Sequence, residues 1–354
     1  MIETNPLIRS EFPLSIFIFL LEELIMKKII AAGLMTAALS TSAMAWTIEG
    51  TGSSFQYPAN KAWAKEFYAT TKNKVNYSPT GSGAGIKAVS ARQVDFGGSD
   101  KPLSPKALNK KNLAQFPIAI GAITFAYNLP GINNLKLSER AISGIMLGKI
   151  QYWDDAIIQQ DNPSVKLPHK KILFVHRSDK SGTTFGFTYY LSKMSKEWRS
   201  QYGAKKQLNW PIANRIAGKG NFGVATAIKT NKYSIGYIDY ADAKSNGLSM
   251  ATIENKAKKF VTPNLDSFTE GAKYADLDPK KDFYANIQYP AQGYPIMTAT
   301  FVLVPNDNQN KTHVTEFYHF AYNNPKIIAK LGYIPLPKEV TDKIEQYWVD
   351  KGLK

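Results

Sequence analysis

Three times this chain runs a short apolar stretch into a loop of glycine, serine and threonine and then into a helix. Trp46 to Glu49 leads into GTGSSF (50–55) and a stretch in which Ala62, Trp63, Glu66 and Phe67 fall at helical spacing. Lys74 to Tyr77 leads into TGSGAG (80–85) and a second helix ending near Ala91. Ile172 to His176 leads into RSDKSGTT (177–184) and a third helix from about Gly182 to Met194. Strands alternating with helices predict a mainly parallel α/β sheet, with its loops at the carboxyl ends of the strands, where such folds bind ligands. VDFGGSD (94–100) adds a short strand that ends on a carboxylate. GKGNFGVATAI (218–228) adds a fourth glycine-rich turn and helix, followed by the strand SIGYIDY (234–240).

A chain of 354 residues, 44% of them hydrophobic, suffices for two packed lobes. It has no cysteine, so disulfides, thiolate nucleophiles and cysteine metal sites are all excluded. From Met26 the sequence reads as a secretory signal: Lys27 and Lys28, an apolar stretch Ile29 to Leu39, then small residues ending Ala43-Met44-Ala45. Cleavage there gives a mature start at Trp46 and a soluble, periplasmic product. Residues 1–25 do not fit that pattern, since Glu22 and Glu23 interrupt the apolar run before it could span a bilayer. They read as an upstream extension, with translation starting at Met26.

Residues 1–45 hold three of the 44 basic and four of the 28 acidic residues, which leaves 41 against 24 and a mature charge of +17. That sign suits nucleic acid, an acidic surface or a small anion. Export argues against nucleic acid, and the lysines are scattered, as on an ordinary solvated surface.

Each of the three loops offers free backbone N–H groups at a helix start with serine or threonine hydroxyls beside them, a way to bind an oxyanion without a full counter-charge. One such loop is ordinary turn chemistry. Three of them, with Arg177 supplying a planar fork suited to tetrahedral oxygens, favour an anion cradle over the alternative in which Arg177 only pairs with Asp179. A hydrolase would need Ser181 or Ser178 activated by a base. His176 is the nearest, but adjacent strand residues point to opposite faces, and G-x-S-x-G is absent at the obvious positions. Neither a metal nor a cofactor site is expected: the four histidines have no metal-like spacing, His313 and His319 being six apart.

GTGSSF, TGSGAGIKAV, VDFGGSDKPLS, HRSDKSGTTFGFTYYL and GKGNFGV with SIGYIDY stand in an order and spacing that resembles the periplasmic phosphate-binding proteins of bacterial ABC-type phosphate transporters. The likeness covers essentially the whole mature chain, including LGKIQYWDD (147–155) and YPIMTATFVLV (294–304). It implies an α/β, two-lobed periplasmic-binding-protein fold of type II, with two hinge crossover strands and a ligand cleft between the lobes. Lobe 1 would be 46–121 with 297–354, and lobe 2 would be 122–296, joined through strands Ile118 to Tyr127 and Ile296 to Val304. Carried over by residue, the resemblance implies phosphate contacts from Ser54, Phe55, Ser82, Asp100, Arg177, Ser181, Gly182 and Thr183. It also implies a monomeric, non-enzymatic receptor that delivers inorganic phosphate to membrane permease subunits; a secreted phosphoester hydrolase and a sulfate receptor are the alternatives. This sequence departs from the family pattern in three places. Ser54 stands where threonine is expected, Lys101 where the family is usually apolar, and the second loop reads GSGAG in place of a double-serine form.

Overall fold

The computed structural model describes Met26 and residues 45–354. The extension expected at 1–25 and nearly all of the leader expected at 26–45 lie outside the described residues. In chain order the strands are β1 (Thr47–Gly52), β2 (Lys74–Ser78), β3 (Phe96–Ser99), β4 (Leu113–Asn128), β5 (Lys136–Leu137), β6 (Leu173–Arg177), β7 (Arg215–Gly218), β8 (Ser234–Asp239), β9 (Ser249–Met250), β10 (Thr252–Glu254), β11 (Phe260–Val261) and β12 (Met297–Pro305). The main sheet has the order β2-β1-β3-β12-β4-β8-β6-β7, with β9 also on β4, while β11-β10-β5 form a small separate sheet.

β4 is the spine of the molecule. Its sequence, LAQFPIAIGAITFAYN, is apolar on both faces, and every residue but the last is buried, as expected of a strand covered on both sides. Leu113 to Ala122 pair with β12 and Ile123 to Asn128 pair with β8, so one strand belongs to the sheets of both lobes. The expected parallel arrangement holds within each lobe, where β1 pairs parallel to β2 and β3, and β6 pairs parallel to β7 and β8. It fails at the crossovers: β12 runs antiparallel to β3 and β4, and β4 runs antiparallel to β8. The reason is the path of the chain. β4 carries it out of the first lobe and β12 brings it back, so the two lie side by side in opposite directions.

Pro117, inside β4, has no N–H to give to a ladder. The β4–β12 register shifts there, between Thr300 and Phe301, because Phe301 pairs with Pro117 and Thr300 with Ala119. Such a bulge re-aims neighbouring side chains, and Thr300 becomes part of the site described next.

Candidate functional site

Five loops, each at the carboxyl end of a strand, meet where the two halves of the main sheet face each other. They follow β1 (Ser53 to Phe55), β2 (Gly81 and Ser82), β3 (Asp100), β6 (Ser178 to Thr183) and β7 (Lys219 to Asn221). Four helices start at these loops, at Tyr57, Ser82, Gly182 and Gly220, so their amino ends converge, with positive dipole ends and N–H groups that lie outside the helical ladders. All eight expected residues lie here, and all are buried.

Asp100 is the centre of the first half, with only 1% of its surface exposed. Its Oδ1 accepts from the hydroxyls of Ser53 at 2.6 Å and Thr300 at 2.7 Å, and its Oδ2 from Ser53 at 2.7 Å and Ser82 at 3.5 Å. Burial pushes its carboxyl up to about 6, against the pull of the Ser53 and Thr300 hydroxyls, the Arg177 charge and the Ser82 hydroxyl. Phe55 contributes its backbone only: its ring is in the core, edge-on to Tyr333 at 5.9 Å, while its N–H donates to Ser53 Oγ at 3.0 Å.

In the second half, Arg177 is 4% exposed and each nitrogen of its guanidinium donates at least one hydrogen bond. Nε and Nη2 donate to the two oxygens of Asp179 at 2.8 and 2.6 Å, and Nη1 donates to Thr183 Oγ1 at 3.2 Å and Asn221 Oδ1 at 3.0 Å. Arg177 therefore forms the salt bridge with Asp179 that was one expectation for it, and it does so inside the loop cluster. Burial alone would raise the Asp179 carboxyl, but the hydrogen bonds and charge of Arg177 outweigh it and hold the group below its ordinary range. Ser181 caps its helix, its Oγ accepting from Thr184 N–H at 3.1 Å. His176 instead places Nδ1 3.0 Å from the Arg177 carbonyl oxygen. Ser181 and His176 thus have separate hydrogen-bond partners.

Three hydrogen bonds between loops of the cluster join its halves, among the described residues. Gly182 N–H donates to Ser82 Oγ at 3.1 Å, Asn221 N–H to Ser54 Oγ at 3.2 Å, and Gly83 N–H to the Lys180 carbonyl at 2.8 Å. Position 182 has no room for a side chain, since a Cβ there would lie 2.4 Å from Ser82 Oγ and 2.5 Å from Asp100 Oδ2. Asp100 could have served merely as a turn cap partnered by Lys101; instead Ser99 closes that turn and the Lys101 ammonium lies over the Phe185 ring at 4.8 Å.

Three residues of the cluster escaped the sequence reading: Ser53, Asn221 and Thr300. Asn221 links most groups, accepting from Arg177 and donating Nδ2 to Asp239 Oδ2 at 2.9 Å while its N–H reaches Ser54. Thr300 had a visible signal, because Thr298 and Thr300 are alternate polar residues in an otherwise apolar strand and so share one face.

Two lobes that share the strand β4, with polar groups from both turned into the seam, define a solute-binding protein. The chain matches the PBP superfamily domain over residues 37–325. It is 41% identical over 322 residues to the phosphate-binding protein PstS of Pasteurella multocida, covering 88% of this chain and 92% of that protein. It is 41% identical over 314 residues to PstS of Haemophilus influenzae, covering 86% and 93%. A solved structure of a high-affinity periplasmic phosphate-binding protein bound with phosphate shares the fold, with a TM-score of 0.69 and 21% identity over 85% of this chain and 93% of that one. The chain belongs to the family of the phosphate-binding proteins PstS.

Proposed function

We propose that this protein is a transport receptor that binds one inorganic phosphate ion in the seam between its lobes, closes over it, and delivers it to the permease subunits of an ABC-type importer. The observation that carries the reading is Asp100, a buried carboxylate among hydroxyl and amide donors. A negative group in an anion site is repulsive unless the ligand brings a proton. At neutral pH phosphate keeps a P–OH, which an ionised carboxylate accepts; sulfate has none. The ligand set is Ser54, Phe55, Ser82 and Asp100 from one lobe and Arg177, Ser181, Gly182 and Thr183 from the other. The lobes are 46–121 with 297–354, and 122–296.

The protein works in the periplasm after removal of residues 26–45, and it turns nothing over. The naming of its relatives as phosphate-binding proteins and the separate engagement of His176 and Ser181 support this. The test is the anion released when freshly purified protein is denatured. Mass spectrometry should find phosphate in proportion to protein; sulfate in its place would overturn the reading. Hydrolysis of a chromogenic phosphate ester that is lost with Ser181→Ala would replace it with the hydrolase.

A further inference from the structure

Lys101, Lys180 and Lys206 surround the site, and among the described residues none of their ammonium groups hydrogen-bonds to its buried groups. Lys101 follows Asp100, and its ammonium is held over Phe185, in the first turn of the helix that begins at Gly182. Lys180 lies between Asp179 and Ser181, and its carbonyl takes the Gly83 N–H from the opposite lobe, so the residue stands on the seam. Lys206 is tied to the same loop through its carbonyl, which accepts from Ser181 N–H at 3.0 Å. Lys180 is exposed, and Lys101 and Lys206 are half-buried.

Among the described residues none of the three forms an ion pair; the paired lysines are elsewhere on the molecule. Partial burial and then the charges of Lys101, Lys180 and Lys111 depress the Lys206 ammonium, which places these cations within each other's field. Keeping like charges together unpaired costs free energy. Arg177 is matched by Asp179 within the site, and among the described residues the three lysines form no salt bridge with any buried carboxylate.

We propose that Lys101, Lys180 and Lys206 form a cationic rim at the mouth of the seam that draws the phosphate anion in, so that the rim sets the rate of capture while the buried groups set the choice of ion. The proposal rests on the phosphate reading above. A rim of unpaired charge acts over about one screening length, roughly 10 Å at 0.1 M salt, and steering of this kind raises association rates by about 10-fold or more. Its effect falls on association and fades with salt, whereas a group that contacts the ion acts on dissociation.

The test is rapid mixing of radiolabelled inorganic phosphate with protein, followed by a chase of unlabelled phosphate, in low and in high sodium chloride. Wild type is compared with the triple variant Lys101→Gln, Lys180→Gln, Lys206→Gln, and with Lys74→Gln, Lys229→Gln, Lys232→Gln, which removes equal charge at the opposite, amino ends of the strands. Thermal unfolding of each variant establishes that it is folded. The rim variant should associate about three- to tenfold more slowly at low salt and like wild type at high salt, with dissociation unchanged. Equal rates at low salt, an equal loss in the distant variant, or a loss that persists in high salt overturns the rim. Failure of wild type to bind phosphate at all overturns the phosphate reading and the rim with it, and is distinct from these results.

Discussion

The Ser82 hydroxyl oxygen accepts the Gly182 N–H at 3.1 Å from across the seam and the Asp100 N–H at 3.3 Å from its own side. One oxygen thus ties the start of a helix in one lobe to the acidic loop of the other, with both partners buried. Closure of the lobes and placement of Asp100 are coupled through a single side chain.

Ser82→Ala removes that oxygen and leaves two buried N–H groups without it. Loss of such hydrogen bonds costs about 1–3 kcal/mol, so phosphate affinity measured by calorimetry should fall roughly 5- to 150-fold. Small-angle scattering should show wild type becoming more compact on adding phosphate and the variant needing more phosphate to do so. An unchanged dissociation constant would remove Ser82 from the site.

Asp100→Asn replaces an acceptor-only group with one that also donates. Sulfate binding should rise measurably while some phosphate binding remains, since a site built around one ligand hydroxyl discriminates by as much as about 10⁴ to 10⁵. Titrations of both proteins with both anions check this. Comparable sulfate and phosphate binding by wild type would refute the mechanism.

The same residue gives the ligand-free protein a pH dependence. Its carboxyl titrates at about 6 in the fold against an ordinary 3.8, so the folded state holds the proton more tightly than the unfolded chain. The stabilisation this provides is fully present below about pH 4 and is lost as pH rises through about 6, on the order of 3 kcal/mol at 1.36 kcal/mol per unit. In phosphate-free buffer, Asp100→Asn should therefore melt higher than wild type at pH 7, with the gap closing toward pH 4. A gap that is constant with pH would show that Asp100 is not the group responsible.

Arg177→Lys keeps the charge but loses the fork that serves Asp179, Thr183 and Asn221 together. Phosphate affinity should drop by about 1–3 kcal/mol. If calorimetry finds no change, Arg177 is a structural partner of Asp179 and nothing more.

Much of this was legible in the sequence because small residues before helices are read locally. Gly182 must be small and Ser181 must cap, and both facts are written in SGTT. What was not legible depends on pairing between distant segments. Thr300 reaches Asp100 across 200 positions, through a bulge created by Pro117 on a neighbouring strand. Asn221 gives no local signal, because asparagine at a helix start ordinarily serves its own backbone, whereas here it serves Arg177, Asp239 and Ser54. The direction of β12 was likewise missed, since it follows from the whole path of the chain and from no local pattern.

The position of β12 also sets a timetable. β3 and β4 are not neighbours; each borders β12, the latest strand in the chain. A chain delivered from its amino end can complete β6, β7, β8 and the far half of β4 once residue 239 is out. The β1–β2–β3 sheet and the near half of β4 then wait with open, apolar edges until Pro305 arrives. Unpaired edges are where chains stick to one another. Newly made chains are accordingly most vulnerable to aggregation in that interval.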